Sequence, residues 1–333
     1  MDPKTASLLN TDIMTEVRRL YDIQADKIKL LNGFESFIFE FGQGEKQFIL
    51  RLGHSSRRSQ NNIYGEVDWI NYLFDGGASV AKAVLSANGN LVESVDDRNG
   101  SQFLCTAFVK AQGGIAKKEH VNNHLFTNYG RLIGQIHALT KSYKPSNPAW
   151  KRYSWDSPEN NTPDRVPRPC EKVLHEKYHF LLDHLQSLPK NTNDFGMIHQ
   201  DAHLGNLFVD DEYNLTLFDF DDSVYGHFIY DIAMVFFYTS MWGNDDISGF
   251  IYNFMPVFFH GYKEFNKLDP KWLVELPNFL KLREINLYCA ILFAYGEKPI
   301  DKWCATYMYG RREKIENDVP FINFDWRSLE RYL

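Results

Sequence analysis

The segment His199-Gln200-Asp201-Ala202-His203-Leu204-Gly205-Asn206 concentrates polar side chains able to take part in chemistry. Two apolar runs follow, Leu207-Phe208-Val209 and Leu215-Thr216-Leu217-Phe218, with the acidic turn Asp210-Asp211-Glu212 between them. That pattern reads as a β-hairpin. A hairpin brings its two ends together, so Asn206 before the first strand and Asp219 after the second are expected to be neighbours. An amide carbonyl and a carboxylate offer Mg2+ hard oxygen ligands while leaving part of its shell for substrate phosphates. Asp201, on the same loop as Asn206, is placed to accept the proton of an attacking hydroxyl. Taken alone, Asp219-Phe220-Asp221-Asp222 is a solvated acidic turn. Beside Asp201 and Asn206 it becomes a candidate site for moving a phosphoryl group.

Other elements must position this loop. Apolar residues at Leu8, Leu9, Ile13, Val17 and Leu20 have helical spacing and predict a helix over 5–21. Short β-type runs at 28–31, 37–41 and 47–52, punctuated by Gly33, Gly42 and Gly44, predict an antiparallel sheet. Runs at 80–84, 91–95 and 102–109 would complete it. One helix over 63–74 interrupts the strands. After Gln112-Gly113-Gly114 the pattern turns helical: 117–140, 171–188 and most of 228–333, with a Pro- and Asn-rich excursion at 144–169. Phe236, Phe237, Tyr238 and Trp242 read as core that borders a pocket. The expected organisation is α+β in two lobes. A small β-rich lobe with one helix, residues 1–107, would bind nucleotide. A larger, mostly helical lobe, 108–333, would carry catalysis and substrate binding.

His199-x-Asp201-x-His203-x-x-Asn206, with Asp219 after the hairpin, resembles the signature of the aminoglycoside phosphotransferase/choline kinase-like family, whose fold is similar to that of protein kinases. Gly226-His227-Phe228-Ile229-Tyr230-Asp231-Ile232-Ala233 is similar to that family's Gly-x-x-x-x-Asp-Leu-Ala segment, and Ile136-His137 to its helix ending in Leu-His. The C-terminal helices are most similar to the branch that contains type II homoserine kinases. The resemblance implies that Asp201 is the catalytic base, that Asn206 and Asp219 hold Mg2+, and that His199, His203 and Asp231 brace the loop. The family's nucleotide-binding strand carries a lysine; here Phe48-Ile49-Leu50-Arg51 puts arginine there. Arginine can grip two phosphates with its fork but does not replace lysine neutrally. Its helix partner would be Glu66, with Asp68 as rival. The phosphate loop, Gly33-Phe34-Glu35-Ser36, has a single glycine, so Ser36 is the candidate contact there. The hinge that reads adenine would fall near 106–109, with Phe108 as the candidate contact. Asp221 and Asp222 are candidate substrate contacts.

Composition narrows the function. The 333 residues are 44% hydrophobic and 24% charged, which fits a folded globular chain. A net charge of −7 argues against nucleic acid as partner. No apolar run reaches the length of a membrane span. The four cysteines form no CxxC pair or disulfide framework, and the N-terminal residues lack a signal-peptide pattern, which together predict a cytoplasmic protein. The function expected is ATP- and Mg2+-dependent transfer of the γ-phosphate to a hydroxyl of a small molecule, by a monomer or homodimer. The acceptor would be an amino alcohol, a hydroxy amino acid such as homoserine, a choline-like amine or an aminoglycoside. The alternative is a nucleotide-binding pseudokinase without turnover. A metal hydrolase using His199, Asp201 and His203 would leave Asn206 and the hairpin unexplained.

Overall fold

The computed structural model describes the chain except residues 1–2, 32, 34, 161–162, 166–167, 242–245 and 297–301. Phe34 and Trp242 therefore lie outside the described residues. The chain divides into two compact units. The first comprises Met1–Gly114, Tyr143–Arg152 and Leu207–Asp221; the second comprises Ile115–Ser142, Tyr153–Asn206 and Asp222–Leu333.

The first unit opens with helices α1 (Pro3–Ala6) and α2 (Thr11–Leu20). The sequence predicts one helix there. Asn10 divides it, because its side chain accepts the Asp12 and Ile13 N–H groups at 3.0 and 3.1 Å and starts a new helix. Strands β1 (Ile28–Leu31), β2 (Phe37–Gln43), β3 (Lys46–His54), β4 (Ala83–Val84), β5 (Glu93–Asp96) and β6 (Gln102–Val109) form an antiparallel sheet of order β1-β2-β3-β6-β4, with β5 also on β6. Helix α3 (Gln60–Asp75) lies between β3 and β4 in sequence, and β7 (Gly114–Ile115) follows β6. The strand predicted at 80–84 shrinks to β4, because Val80 instead bridges Leu217. Leu217 belongs to the hairpin of β9 (Leu207–Val209) and β10 (Leu215–Leu217), whose register pairs Leu207 with Leu217.

Strand alternation sorts the side chains of β3. Leu50 and Leu52 pack with Ile13, Val17 and Leu20 of α2. Arg51, between them, must point to the opposite face. Ile63 and Val67 of α3 pack with Ala83, Val92 and Leu104 in a separate cluster. Glu66, three residues beyond Ile63, shares that inward side of α3.

In the second unit the predicted helix at 117 begins only at α4 (Asn123–Thr140), because Asn122 caps it by accepting the Leu125 N–H at 2.9 Å. Then come α5 (Arg168–Gln186), β8 (Phe195–Ile198), β11 (Val224–His227), α6 (Phe228–Ser240), α7 (Ile247–Tyr262), α8 (Leu276–Tyr295), α9 (Lys302–Met308) and α10 (Arg311–Glu316). The β8–β11 pair pairs Ile198 with Val224, immediately before the reactive loop begins at His199. Helix α6 is buried on nearly all sides, which explains why its sequence shows little amphipathic pattern.

Helices α4 and α7 touch backbone to backbone. A Cβ on Gly130 would stand 1.9 Å from the Phe258 carbonyl oxygen, and one on Gly261 would stand 2.0 Å from that of Thr127. Both obstacles are backbone, so the helices must move apart to admit a methyl group. Gly130→Ala is expected to destabilise the protein by about 1–3 kcal/mol, seen as a lower urea midpoint. An unchanged midpoint would show that the contact can relax freely.

Candidate active site

In the first unit the two oxygens of Glu66 accept from Arg51, Nη1 to Oε1 at 2.8 Å and Nη2 to Oε2 at 2.6 Å. Both side chains are buried. This is the two-pronged geometry in which arginine matches a carboxylate. Asp68 is elsewhere: it accepts from the Tyr143 hydroxyl at 2.7 Å and the Ser146 N–H at 3.1 Å. Burial disfavours the Arg51 cation, but the charges of Glu66, Asp221 and Asp219 outweigh it and keep the guanidinium firmly protonated. The guanidinium lies 5.3 Å from the centre of the Phe108 ring.

Asp219 reaches within 4.0 Å of Arg51 and takes a left-handed backbone, φ 62°. Aspartate tolerates this conformation better than most residues, and Asp22 and Asp318 adopt it too. Asp221 is held by arginines of its own unit. It contacts Arg57, lies 3.9 Å from Arg51 and 3.6 Å from Arg58, and its carbonyl accepts from Arg152 at 2.5 Å. Burial would raise its carboxyl; the cations of Arg57, Arg51 and Arg58 override this and hold it well below the usual carboxylate range. Ser36, Arg51, Arg57, Arg58, Thr106 and Asp221 line one cavity. Asp222, partly buried, is the first residue of the last segment of the second unit.

In the second unit the reactive loop is fixed from below. The Asp231 carboxylate, fully buried on α6, accepts the His199 N–H at 2.9 Å and the Gln200 N–H at 2.7 Å. His137 of α4 meets the same carboxylate at 3.2 Å. His199 is buried, and its Nδ1 accepts the Asp201 N–H at 3.3 Å; His203 Nδ1 accepts the Gly205 N–H at 2.9 Å. One ring nitrogen of each is thus engaged in shaping the loop. Gln200 takes a left-handed backbone, φ 67°, at the bend. Asn206 Nδ2 donates to the Asp201 carbonyl at 3.0 Å, which orients the amide and turns its oxygen to the other side. His203 Nε2 lies 3.4 Å from the Asp201 carboxylate.

Two residues of this site carried no clear signal in the sequence. Arg283, on α8, donates to Asp201 Oδ1 at 2.5 Å and to the Tyr238 hydroxyl, with its Nε 3.0 Å from that hydroxyl. Tyr238 was read only as core at a pocket's border. Arg283 stands 82 positions from Asp201 in a helix without strong amphipathic patterning, so only the fold reveals their contact. Burial would raise the Asp201 carboxyl, but Arg283, with help from His203 and His199, holds it well below the usual range.

These residues and this fold define a class. A sequence profile of the Phosphotransferase enzyme family (APH) matches residues 27–262, and the chain belongs to that family. It is an ATP-using small-molecule phosphotransferase. It is 37% identical over 322 residues, 95% of each chain, to amicoumacin kinase of Bacillus subtilis (strain 168). The solved structure of amicoumacin kinase hAmiN in complex with AMP-PNP, Ca2+ and Ami matches at TM-score 0.93 and 30% identity, covering 99% of this chain and 100% of that one. A microcompartment-associated aminopropanol kinase, 21% identical, shares the fold at TM-score 0.72 over 92% of this chain and 97% of its own. The expected α+β, protein-kinase-like architecture is the one these proteins have. Nothing in these likenesses supports a pseudokinase. Among the described residues no helix is long and apolar enough to cross a membrane.

Two outcomes are expected. Glu66→Ala leaves a buried guanidinium without its main partner and should cost about 3–5 kcal/mol of stability, read by chemical denaturation. Arg283→Met removes the cation that depresses Asp201, so its pKa should rise towards the ordinary carboxylate range. If Asp201 serves as the base it must be ionised to act, and the acid limb of kcat/KM should then move towards neutral pH. An acid limb unmoved by the substitution would mean that another group sets it.

Proposed function

We propose that this chain transfers the γ-phosphate of Mg·ATP to a hydroxyl of amicoumacin or a close analogue, in the cytoplasm. The observation that carries the acceptor is the 37% identity to amicoumacin kinase across 95% of both chains. The proposed cation would take the oxygens of Asn206 and Asp219. The donor set fits a hard cation: a carboxylate, and an amide whose nitrogen is already occupied by the Asp201 carbonyl. Bound Mg2+ would offset charge on the phosphates.

The other roles belong to the chain's own side chains. Arg51, kept in place by Glu66, presents its cation to the phosphates, with Ser36 and Phe108 along the nucleotide. His199, His203 and Asp231 keep the loop in shape. Asp201 orients the acceptor hydroxyl and takes its proton. Because Arg283 lowers its basicity, Asp201 accepts that proton late, as the bond to phosphorus forms. This suits a loose phosphoryl-transfer transition state, in which little nucleophile activation is needed early. Asp222 remains a candidate acceptor contact. Asp221, gripped by arginines, would act on the acceptor only through them.

The test is ADP release from Mg·ATP with amicoumacin, beside choline, homoserine, aminopropanol and an aminoglycoside. Amicoumacin should stimulate release, and Asp201→Asn should reduce the rate by about 10²–10⁴-fold. Stimulation by another acceptor alone would reassign the substrate. Binding of ATP with no stimulation by any acceptor would revive the module without turnover.

A further inference from the structure

Residues 153–206 of the second unit carry a second cluster of ligand-type side chains that phosphoryl transfer does not use. His175 and His179 stand four positions apart on α5, so both rings emerge on one face of the helix. The rings stack at 6.5 Å with planes 19° apart. Asp164, in the 3-10 turn Pro163–Arg165 that packs on α5, points one oxygen at both. Its Oδ1 lies 3.3 Å from His175 Nδ1 and 2.9 Å from His179 Nε2.

We propose that Asp164, His175 and His179 form a binding site for a transition-metal ion of the zinc class. The potential ligand atoms lie within 4.8 Å of one another. In a tetrahedral zinc site with bonds of about 2.0–2.1 Å, neighbouring ligand atoms sit about 3.3 Å apart. Small side-chain rotations therefore suffice to surround an ion. Two imidazoles and one carboxylate suit Zn2+ and its neighbours in the series rather than Mg2+ or Ca2+, which take oxygen shells. The site is thereby chemically distinct from the one that serves the nucleotide.

The nitrogens that converge on Asp164 are Nδ1 of His175, a residue only 7% exposed, and Nε2 of His179. The i, i+4 spacing on one helix already sets the two rings side by side, so an ion needs no backbone movement to meet both. Asp164 and His179 are partly exposed, so solvent can reach the cluster and supply a fourth ligand. The bound ion would clasp the Pro163–Arg165 turn to α5.

The experiment uses the full chain without an affinity tag, stripped by chelator and titrated calorimetrically with Zn2+ alone. Wild type, His179→Ala, Asp164→Ala and, as a control, His124→Ala are compared. Loss of an outer partner already weakens metal binding by about 10–100-fold. Loss of a direct ligand should therefore weaken the Zn2+ site by roughly tenfold or more, with His124→Ala unchanged. Co2+ in the same site should show the visible absorption of a four-coordinate ion, absent in His179→Ala. Equal Zn2+ affinity in wild type, His179→Ala and Asp164→Ala would overturn the proposal, as would no binding by the wild type at millimolar Zn2+. Neither readout depends on phosphotransferase activity.

Discussion

Asp231 carries its carboxylate entirely out of water, held by the N–H groups of His199 and Gln200 and by the ring of His137. A buried carboxylate whose donors are removed is costly, so the loop that supplies those donors is not free to wander. Everything that follows in the loop inherits this anchor. Gln200 can hold a left-handed bend because the N–H groups on it and on the preceding residue are both fixed. Asp201 and Asn206 then meet through the Asp201 carbonyl. The anchor has supports of its own. The ring of His137 stacks on Phe228 and hydrogen-bonds the Tyr262 hydroxyl at 2.9 Å, joining α4, α6 and α7 around one charge. Burial lowers the His137 pKa despite Asp231, so the ring is neutral and acts through hydrogen bonds.

The first unit solves a different problem, that of holding cations. Arg51, Arg57, Arg58 and Arg152 all reach Asp221, by its carboxylate or its carbonyl, while Glu66 takes the fork of Arg51. Concentrated positive charge of this kind suits phosphates, but in a folded chain it needs internal anions to be tolerated. The replacement of the family's lysine by Arg51 fits this setting. A planar fork can bond Glu66 with two nitrogens, lie over Phe108 and still stay near Asp219 and Asp221.

Arg283 sets the electrostatic surroundings of Asp201. A carboxylate beside a guanidinium is a weak base, so its value lies in orientation and in being ionised at every working pH. Tyr238, bonded to the same guanidinium and against the His203 ring at 4.6 Å, fixes where that cation sits. In the proposed reaction the acceptor hydroxyl would thus meet a preset hydrogen-bonding frame rather than a strong base.

The loop from His199 to Asn206, Asp219 beyond the hairpin, the Arg51–Glu66 pairing and the bracing role of Asp231 were all legible because each depends on short spacings or on strand and helix period. Leu50 and Leu52 face one side, so Arg51 had to face the other; Ile63 and Val67 place Glu66 inward. The breaks at Asn10 and Asn122 were readable in principle, since both are capping residues, yet the helical stretches 5–21 and 117–140 run across them. Strand β11 was missed because four residues leading straight into a buried helix carry no turn or alternation of their own. Arg283, Tyr238 and the Asp164–His175–His179 cluster were decided by tertiary structure alone. Their partners lie on separate elements, and nothing in local sequence records which side chain from a distant helix a carboxylate will meet. The sequence by itself therefore determined the local chemistry and its class, whereas packing of α8 and α5 decided the electrostatic surroundings in which those groups act.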